Sequence, residues 1–302
     1  MPELPEVEIL ARHLASLLKN KVIHDVEVRR ARVLRPTAEA DFKRALKGAR
    51  FVGLTRRGKY LWFTLRAAGQ RQRLNLLGHL GMTGRMYLQP SAAPRPRHTA
   101  VRLSVGKTNF IFEDVRYFGR LTLDTSAIQT LGPEPLGEDF TPRYFAGALK
   151  RSRQPIKVKL LDQSLVAGVG NIYASEALFR AGISPRLAAR RLAQSQIERL
   201  WRAIRDVLAE AIRFGSTVPL DWTGTEGSDG LFYYGSDERS QPSYDERLEV
   251  YDRAGRPCYR CNTPIRRIVQ AARSTFFCPS CQRSQRPGNR AKSSVDGRDG
   301  DL

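Results

Sequence analysis

The chain has 302 residues, enough for two cores rather than one, and carries 51 Lys and Arg against 30 Asp and Glu, a formal charge of +21. A pI near 10.5 points to a polyanionic partner, because solubility alone asks for a net charge of only about 2–8 in a small domain. No run approaches the roughly 18 apolar residues of a membrane-crossing helix, and the opening Met1-Pro2-Glu3-Leu4-Pro5-Glu6 is acidic and proline-broken, unlike a secretory leader, so a cytoplasmic, nucleoid-associated protein with no membrane role is expected.

Val7, Leu10, Leu14, Leu17 and Leu18 share one helical face, which predicts a helix from Pro5 to Lys19 with proline in its first turn. From about Lys21 to Asp124 the pattern shortens to β-branched and aromatic runs separated by Gly, Pro and Arg. These runs are Val22-Ile23, Val26, Val28, Val33-Leu34, Phe51 to Leu54, Tyr60 to Phe63, Leu74 to Leu77, Met86 to Leu88, Val101 to Leu103 and Phe110 to Phe112. Such spacing predicts a β-sandwich or barrel-like domain. Gly132-Pro133-Glu134-Pro135-Leu136-Gly137 reads as a linker, and beyond it the chain turns helical. Thr141-Pro142 is a predicted N-cap followed by proline at the first helical position. Ile197, Leu200, Ile204, Leu208, Ala211 and Ile212 predict a long core-facing helix from Ala193 to Phe214, closed by Gly215. Residues 221–243, with Phe232-Tyr233-Tyr234, read as a long polar loop, and residues 284–302 as a disordered basic and polar tail. The expected fold class is α+β. A helix and β-sandwich occupy 1–131, a helical domain 132–248 and a cysteine-bearing finger 249–283, with the tail beyond.

All four cysteines fall in two CxxC turns, Cys258-Tyr259-Arg260-Cys261 and Cys278-Pro279-Ser280-Cys281. Two such turns supply four thiolates to one tetrahedral ion, which predicts a structural zinc with no open coordination position for catalysis. A redox pair would use one CxxC and leave the other unexplained. Arg266, Arg267 and Arg273 lie between the pairs, and Thr275-Phe276-Phe277 is the predicted second strand. A zinc-stapled hairpin with arginine at its tip suits a DNA groove.

Proline at position 2 permits removal of Met1, which exposes a secondary amine. Unprotonated, such an amine attacks an electrophilic sugar carbon and forms an iminium. The adjoining helix start disfavours the ammonium form, from an α-amino reference of roughly 7.7–8.0. Glu3 is the adjacent proton donor, provided a dry pocket raises its pKa. Alone, Pro-Glu-Leu-Pro reads more simply as a stiff lead-in to a helix.

Met1 to Glu8, Asp114-Val115-Arg116-Tyr117-Phe118-Gly119, Gly168-Val169-Gly170-Asn171-Ile172-Tyr173-Ala174-Ser175-Glu176 and the four-cysteine finger occur in this order. Over about residues 1–283 the chain resembles the formamidopyrimidine-DNA glycosylases, bacterial repair enzymes for 8-oxoguanine and ring-opened purines. The resemblance implies a β-sandwich, a helix–two-turn–helix domain and a zinc finger that together remove an oxidised purine and nick the strand. It casts Pro2 as nucleophile at the deoxyribose C1′, Glu3 as acid on the sugar oxygen, Lys59 in β-elimination and Arg273 in δ-elimination and phosphate contact. It makes Met82, Arg116 and Phe118 the side chains that fill the hole left by an everted base, although Met82 and Phe118 taken singly would be core residues. It further implies DNA-backbone contacts for His79, His98, Lys157 and Asn171, the last after a glycine-rich turn that offers free N–H groups to a phosphate. The implied partner is damaged duplex DNA bound by a monomer, and the implied cofactor is one zinc ion.

Two positions depart from the family pattern. Tyr117 stands where a basic residue is usual, so a backbone contact is lost or replaced by stacking. Ser152 stands where a DNA-contacting lysine is expected, with Arg151 and Arg153 beside it as substitutes. The 221–243 loop is longer than usual. Three alternatives stay open on sequence: an endonuclease VIII type acting on oxidised pyrimidines, a non-catalytic DNA-binding protein, and a protein-binding zinc ribbon. The first typically begins Pro-Glu-Gly-Pro, unlike the Pro2-Glu3-Leu4-Pro5 here.

Overall fold

The structure, a computed structural model, describes residues 2–69, 73–214 and 247–283. The predicted loop 221–243 and the tail 284–302 lie outside the described residues.

Helix α1 (Leu4–Leu18) buries Val7, Leu10, Leu14 and Leu18 along one stripe, as their spacing requires. Two antiparallel four-stranded sheets follow. One has the order β1 (Asp25–Val28), β6 (Thr99–Ser104), β7 (Thr108–Asp114), β5 (Gly84–Pro90); the other runs β2 (Arg50–Arg57), β3 (Tyr60–Arg66), β4 (Arg73–His79), β8 (Arg120–Thr122). Alternation on β3 sends Leu61, Phe63 and Leu65 inward, where Phe63 meets Phe51 and Phe110 edge-on at centroid distances of 6.0 and 5.8 Å. The domain is a β-sandwich.

Two segments inside the stretch expected to be all β are helical. Val33-Leu34 belongs to a 3-10 turn, Ala31–Leu34, and α2 (Glu39–Leu46) follows it. The eight residues of α2 bury only Phe42 and Leu46, an i, i+4 pair too brief to display a period.

Beyond the linker come α3 (Pro142–Lys150), α4 (Ile156–Leu160), α5 (Asn171–Arg180) and α6 (Gln194–Phe214). Thr141 caps α3 as predicted, its Oγ1 accepting the Tyr144 N–H at 3.1 Å. Helix α5 is buried from Ile172 to Phe179 because it serves two cores. Tyr173, Ala177 and Leu178 face the helical core, whereas Phe179 joins Val250, Ile265 and Phe276 beneath the hairpin of β9 (Arg266–Gln270) and β10 (Arg273–Phe277). Helix α1 is shared likewise, since Leu4 lies in the helical core and Val7 onward in the sandwich core. Residues 2 and 3 therefore sit at the seam between the two cores. No helix among the described residues is long and apolar enough to cross a membrane.

Candidate active site

Glu3 is the N-cap residue of α1 and is only 1% exposed. Its N–H donates to Glu6 Oε2 at 2.7 Å, while Glu6 Oε1 accepts the Tyr173 hydroxyl at 2.5 Å. The Glu3 carboxyl itself turns to the start of α5, where Oε1 accepts the Ile172 N–H at 2.9 Å and Oε2 the Tyr173 N–H at 3.4 Å. The glycines explain this approach. Gly168 adopts φ +89°, its carbonyl accepts the Leu4 N–H at 3.1 Å, and a Cβ there would lie 2.6 Å from Leu4 Cδ1. A Cβ on Gly170 would lie 2.2 Å from Glu3 Cδ. The glycine-rich turn thus does not present the Ile172 and Tyr173 amides to a phosphate, as its sequence suggested. A carboxyl from 169 residues away already occupies them.

Pro2 is buried beside this junction. Lys59, at the β2–β3 turn, is 7% exposed, and Lys157 on α4 is fully buried. Burial raises the Glu3 pKa; the nearby Lys59 charge opposes that rise and the neighbouring Glu6 adds to it. Burial lowers the Lys59 pKa, with Glu3 opposing and the like charge of Arg273 reinforcing. Lys157 is pushed down to about 8 by burial and then by Arg273. Pro2, Glu3, Lys59, Lys157 and Arg273 are thereby brought to one place from four segments of the chain.

The fold fixes each member. Glu134, in the linker, accepts the Gly58 N–H at 2.6 Å, Arg57 Nη1 at 2.9 Å and Arg56 Nη1 at 2.6 Å, so it pins the turn that carries Lys59. Arg56 Nε reaches back to Glu8 Oε2 at 2.8 Å. Lys157 Nζ donates to Asn171 Oδ1, and Asn171 Nδ2 donates to the Ser274 carbonyl at 2.9 Å, which ties the hairpin to α5 one residue from Arg273. Three participants went unnoticed in the sequence. Tyr251 lies beside the Asn171 side chain and packs edge-on against Phe276 at 5.1 Å. Glu176, 3% exposed, accepts the N–H groups of Glu249, Val250 and Tyr251 at 2.9, 2.9 and 2.7 Å, holding the bend that leads into the finger. Glu134 is the third. The only sequence signals were an acid inside a buried helical motif for Glu176 and a lone acid among linker prolines for Glu134.

Met82 and Phe118 leave the core altogether, each 46% exposed. The Arg116 guanidinium lies 4.8 Å from the Phe118 ring centroid, with Nη1 3.5 Å from Met82 Sδ, so the trio forms one projecting cluster. Fully buried Asp114 anchors its loops, accepting the Arg116 N–H at 3.1 Å, the Gly119 N–H at 2.7 Å and the Thr83 hydroxyl at 2.6 Å. Tyr117 adopts φ +52° and turns inward against the sandwich core, 5.1 Å beneath the Arg30 guanidinium. Its stacking partner is therefore protein.

His79 lies 4.7 Å from the Tyr60 ring, and its Nδ1 accepts the Gly81 N–H at 3.1 Å. Burial, then Lys59 and Arg120, push its pKa down to about 4, so the ring is neutral. His98 is half-buried, and its carbonyl accepts the Asp114 N–H at 3.1 Å. Arg151 and Arg153 are both exposed beside Ser152, whose Oγ accepts the Gln154 N–H at 3.3 Å.

The four cysteine sulfurs lie within 4.8 Å of one another, with Cys261–Cys281, Cys261–Cys278 and Cys258–Cys281 pairs at 3.4, 3.5 and 3.9 Å. Tetrahedral zinc with Zn–S near 2.3 Å needs sulfurs roughly 3.8 Å apart, so the cage fits the ion. The amides of Arg260 and Cys281 donate to Cys258 and Cys278 sulfur at 3.4 Å each, as expected around thiolates. Zinc held by these four cysteines would close the base of the β9–β10 hairpin, with Arg273 at the opposite, turn end.

Comparison with known proteins matches three stretches of the chain in order. Sequence models match for the formamidopyrimidine-DNA glycosylase N-terminal domain over residues 1–121, for its H2TH domain over 131–220, and for the zinc finger found in FPG and IleRS over 255–283. The formamidopyrimidine-DNA glycosylase of Carboxydothermus hydrogenoformans is 38% identical over 94% of this chain and all of its own length; that of Chloroflexus aggregans is 43% identical over 93% and 98%. Among solved structures, a mutant Lactococcus lactis FPG in complex with Fapy-dG-containing DNA superposes with a TM-score of 0.81 at 34% identity, covering 94% of this chain and 100% of that one. With its β-sandwich, helical domain and four-cysteine zinc finger in this order, the chain belongs to the formamidopyrimidine-DNA glycosylase family, whose members are DNA glycosylases and AP lyases.

Proposed function

We propose that this protein removes oxidised purines, 8-oxoguanine and formamidopyrimidines, from duplex DNA and then cleaves the strand, acting as a monomer on the bacterial nucleoid. In this reading residues 1–131 and 132–248 grip the duplex from two sides, with 249–283 holding Arg273 over the lesion. The observation that carries it is the burial of Glu3 and Lys59 together beside Pro2, at a seam that both cores define.

After loss of Met1, the Pro2 nitrogen lone pair forms a bond to C1′ as the C1′–base bond breaks, and the base departs with its electron pair and takes up the proton that the Pro2 nitrogen gives up. The Glu3 carboxyl, whose pKa burial raises, gives its proton to the sugar ring oxygen as the ring opens to an iminium. Loss of a C2′ proton then breaks the C3′–oxygen bond, and loss of a C4′ proton breaks the C5′–oxygen bond. Lys59 and Arg273 hold the flanking phosphates as those bonds break, with Lys157 and Asn171 beside them. Water hydrolyses the iminium and frees Pro2. Met82 and Phe118 replace the stacking of the everted base, and Arg116 hydrogen-bonds the orphaned cytosine. His79, His98 and Arg153 contact the backbone around this centre. Bound zinc supplies no chemistry; it fixes the hairpin that carries Arg273.

The lesion class is tested by single-turnover base release from otherwise identical duplexes holding 8-oxoguanine or thymine glycol. Faster release of 8-oxoguanine is expected, and preference for thymine glycol overturns the assignment.

A further inference from the structure

No Asp or Glu occurs from Phe42 to Phe112, while Lys and Arg recur throughout. Acids from outside that stretch neutralise several of its cations. Glu39 and Asp41 pair with Lys43 and Arg44, Glu8 with Arg56, Glu134 with Arg56 and Arg57, and Glu27 with Arg95 and Arg102. Among the described residues no carboxylate pairs with Arg50, Arg66 or Arg73, and all three are exposed.

Register gathers these three. Arg50 pairs with Arg66 and Arg66 with Arg73, so they stand in one row on the second sheet, on the face turned away from buried Phe51 and Leu65. Like charges directly opposite on neighbouring strands repel. Arg50 spends one N–H on the Asn20 carbonyl at 2.8 Å, which anchors its guanidinium, and keeps the rest of its fork. The segment that supplies Asn20 also carries Lys19 and Lys21, and it hydrogen-bonds to both sides of the Phe51 backbone at 3.0 and 2.9 Å. Arg50 and Arg66 line one open concavity of about 760 Å³, whose wall holds neither an acid nor an aromatic ring.

The row lies at the far end of the sheet from the chemistry. Lys59 precedes β3, and Met82, Arg116 and Phe118 sit on the loops that follow β4 and precede β8, all at one end. Arg66 closes β3 at the other end, about 20 Å from Tyr60. A duplex seated across the first end leaves the second free. We propose that Arg50, Arg66 and Arg73 form a second DNA-phosphate site, which holds a duplex segment separate from the one that carries the lesion. Three neighbouring strands spread the row over about 10 Å, and one DNA strand presents about three phosphates in that length. Guanidinium forks match phosphate oxygens, and the bound phosphates remove the repulsion along the row. A protein interface draws on aromatic anchors, which this concavity lacks. The site rests on the DNA-binding part of the proposed function and not on its lesion chemistry.

The test saturates the protein with a short duplex holding a stable abasic-site analogue, then adds a second, undamaged duplex with a different fluorophore. Energy transfer between the two duplexes reports the ternary complex across a range of salt. Wild type is compared with the double variants Arg66→Ala/Arg73→Ala and Arg66→Lys/Arg73→Lys. The alanine variant is expected to bind the second duplex about tenfold more weakly, with a salt slope lower by about 2, and the lysine variant to recover most of that loss. Affinity for the first duplex and borohydride trapping on an 8-oxoguanine duplex are expected to match wild type in both variants. Absence of energy transfer with the wild type overturns the proposal, as does transfer that ignores Arg66 and Arg73. An Arg66-dependent gain that appears only when the first duplex is lengthened also overturns it, because the occupant is then an arm of the same duplex. Binding of polyglutamate in place of DNA does the same. A wild type that forms the ternary complex but fails to trap indicts the glycosylase reading alone.

Discussion

The Glu3–Lys59–Lys157 cluster and the Met82–Arg116–Phe118 trio serve one proposed reaction and are built on opposite principles. Charged groups are hidden in the first, at 1%, 7% and 0% exposure, while apolar groups are displayed in the second, with Met82 and Phe118 at 46%. Each arrangement costs free energy in the isolated protein. A buried charge loses its hydration, and an exposed apolar side chain forgoes roughly 25 cal/mol for each Å² it leaves in water. The cluster draws reactivity from that cost, because dryness favours a protonated Glu3 and less basic lysines. The trio stores its cost until a gap in a base stack covers it. Permanent dryness serves proton chemistry, and conditional dryness serves recognition.

The largest expected effect is at the cluster. Glu3→Gln keeps the side-chain volume and removes the proton, so excision of 8-oxoguanine should fall about 10²–10⁴-fold. Cleavage at a preformed abasic site, which has no base to expel, should fall far less; equal losses on both substrates would point to a merely structural glutamate. Next comes the turn that brings the cluster together. Gly170→Ala sets a methyl group 2.2 Å from Glu3 Cδ, and denaturant unfolding should register a loss of about 1–3 kcal/mol alongside weakened excision.

For the trio the prediction reverses. Phe118→Ala should leave unfolding within about 0.5 kcal/mol of wild type, since the ring is outside the core. Affinity for a duplex with a missing base should drop about five- to hundredfold, in line with roughly 1–3 kcal/mol per stacked ring. A large loss of stability with intact affinity would return Phe118 to the core.

The smallest effect is a titration. The Lys157 pKa is about 8 in the folded protein against an ordinary 10.5, so between those values the unfolded chain binds more protons than the folded one. The stability contributed by this residue should therefore rise with pH from about 8 to 10.5. Urea midpoints of wild type minus Lys157→Met, compared at pH 7.5 and 9.5, should show wild type gaining on the variant. A flat difference would mean that Lys157 is solvated.

What the sequence made legible divides along similar lines. The α1 stripe, the long α6 helix, the sandwich and the two CxxC turns are local patterns, and their physics is complete within a few residues of chain. The short α2 escaped because one buried pair makes no period. Met82, Arg116 and Phe118 were legible only through the family's motifs, since composition alone would bury two of them. The deeper omissions are Glu134, Glu176 and Tyr251, whose roles come from partners about 75 to 80 residues away. The Gly168–Gly170 turn was read as offering free N–H groups to a phosphate, but the Glu3 carboxyl accepts those of Ile172 and Tyr173. Nothing local to residues 168–173 announces that the carboxyl of Glu3 will arrive there.

The central claim is that Pro2 forms the covalent bond within this dry cluster. Borohydride trapping on a duplex with 8-oxoguanine opposite cytosine, followed by mass spectrometry of the cross-linked peptide, tests it most directly. The account predicts an adduct on the Pro2 nitrogen of a chain lacking Met1. A cross-link at Lys59 instead, or none on a duplex the protein demonstrably binds, would contradict it.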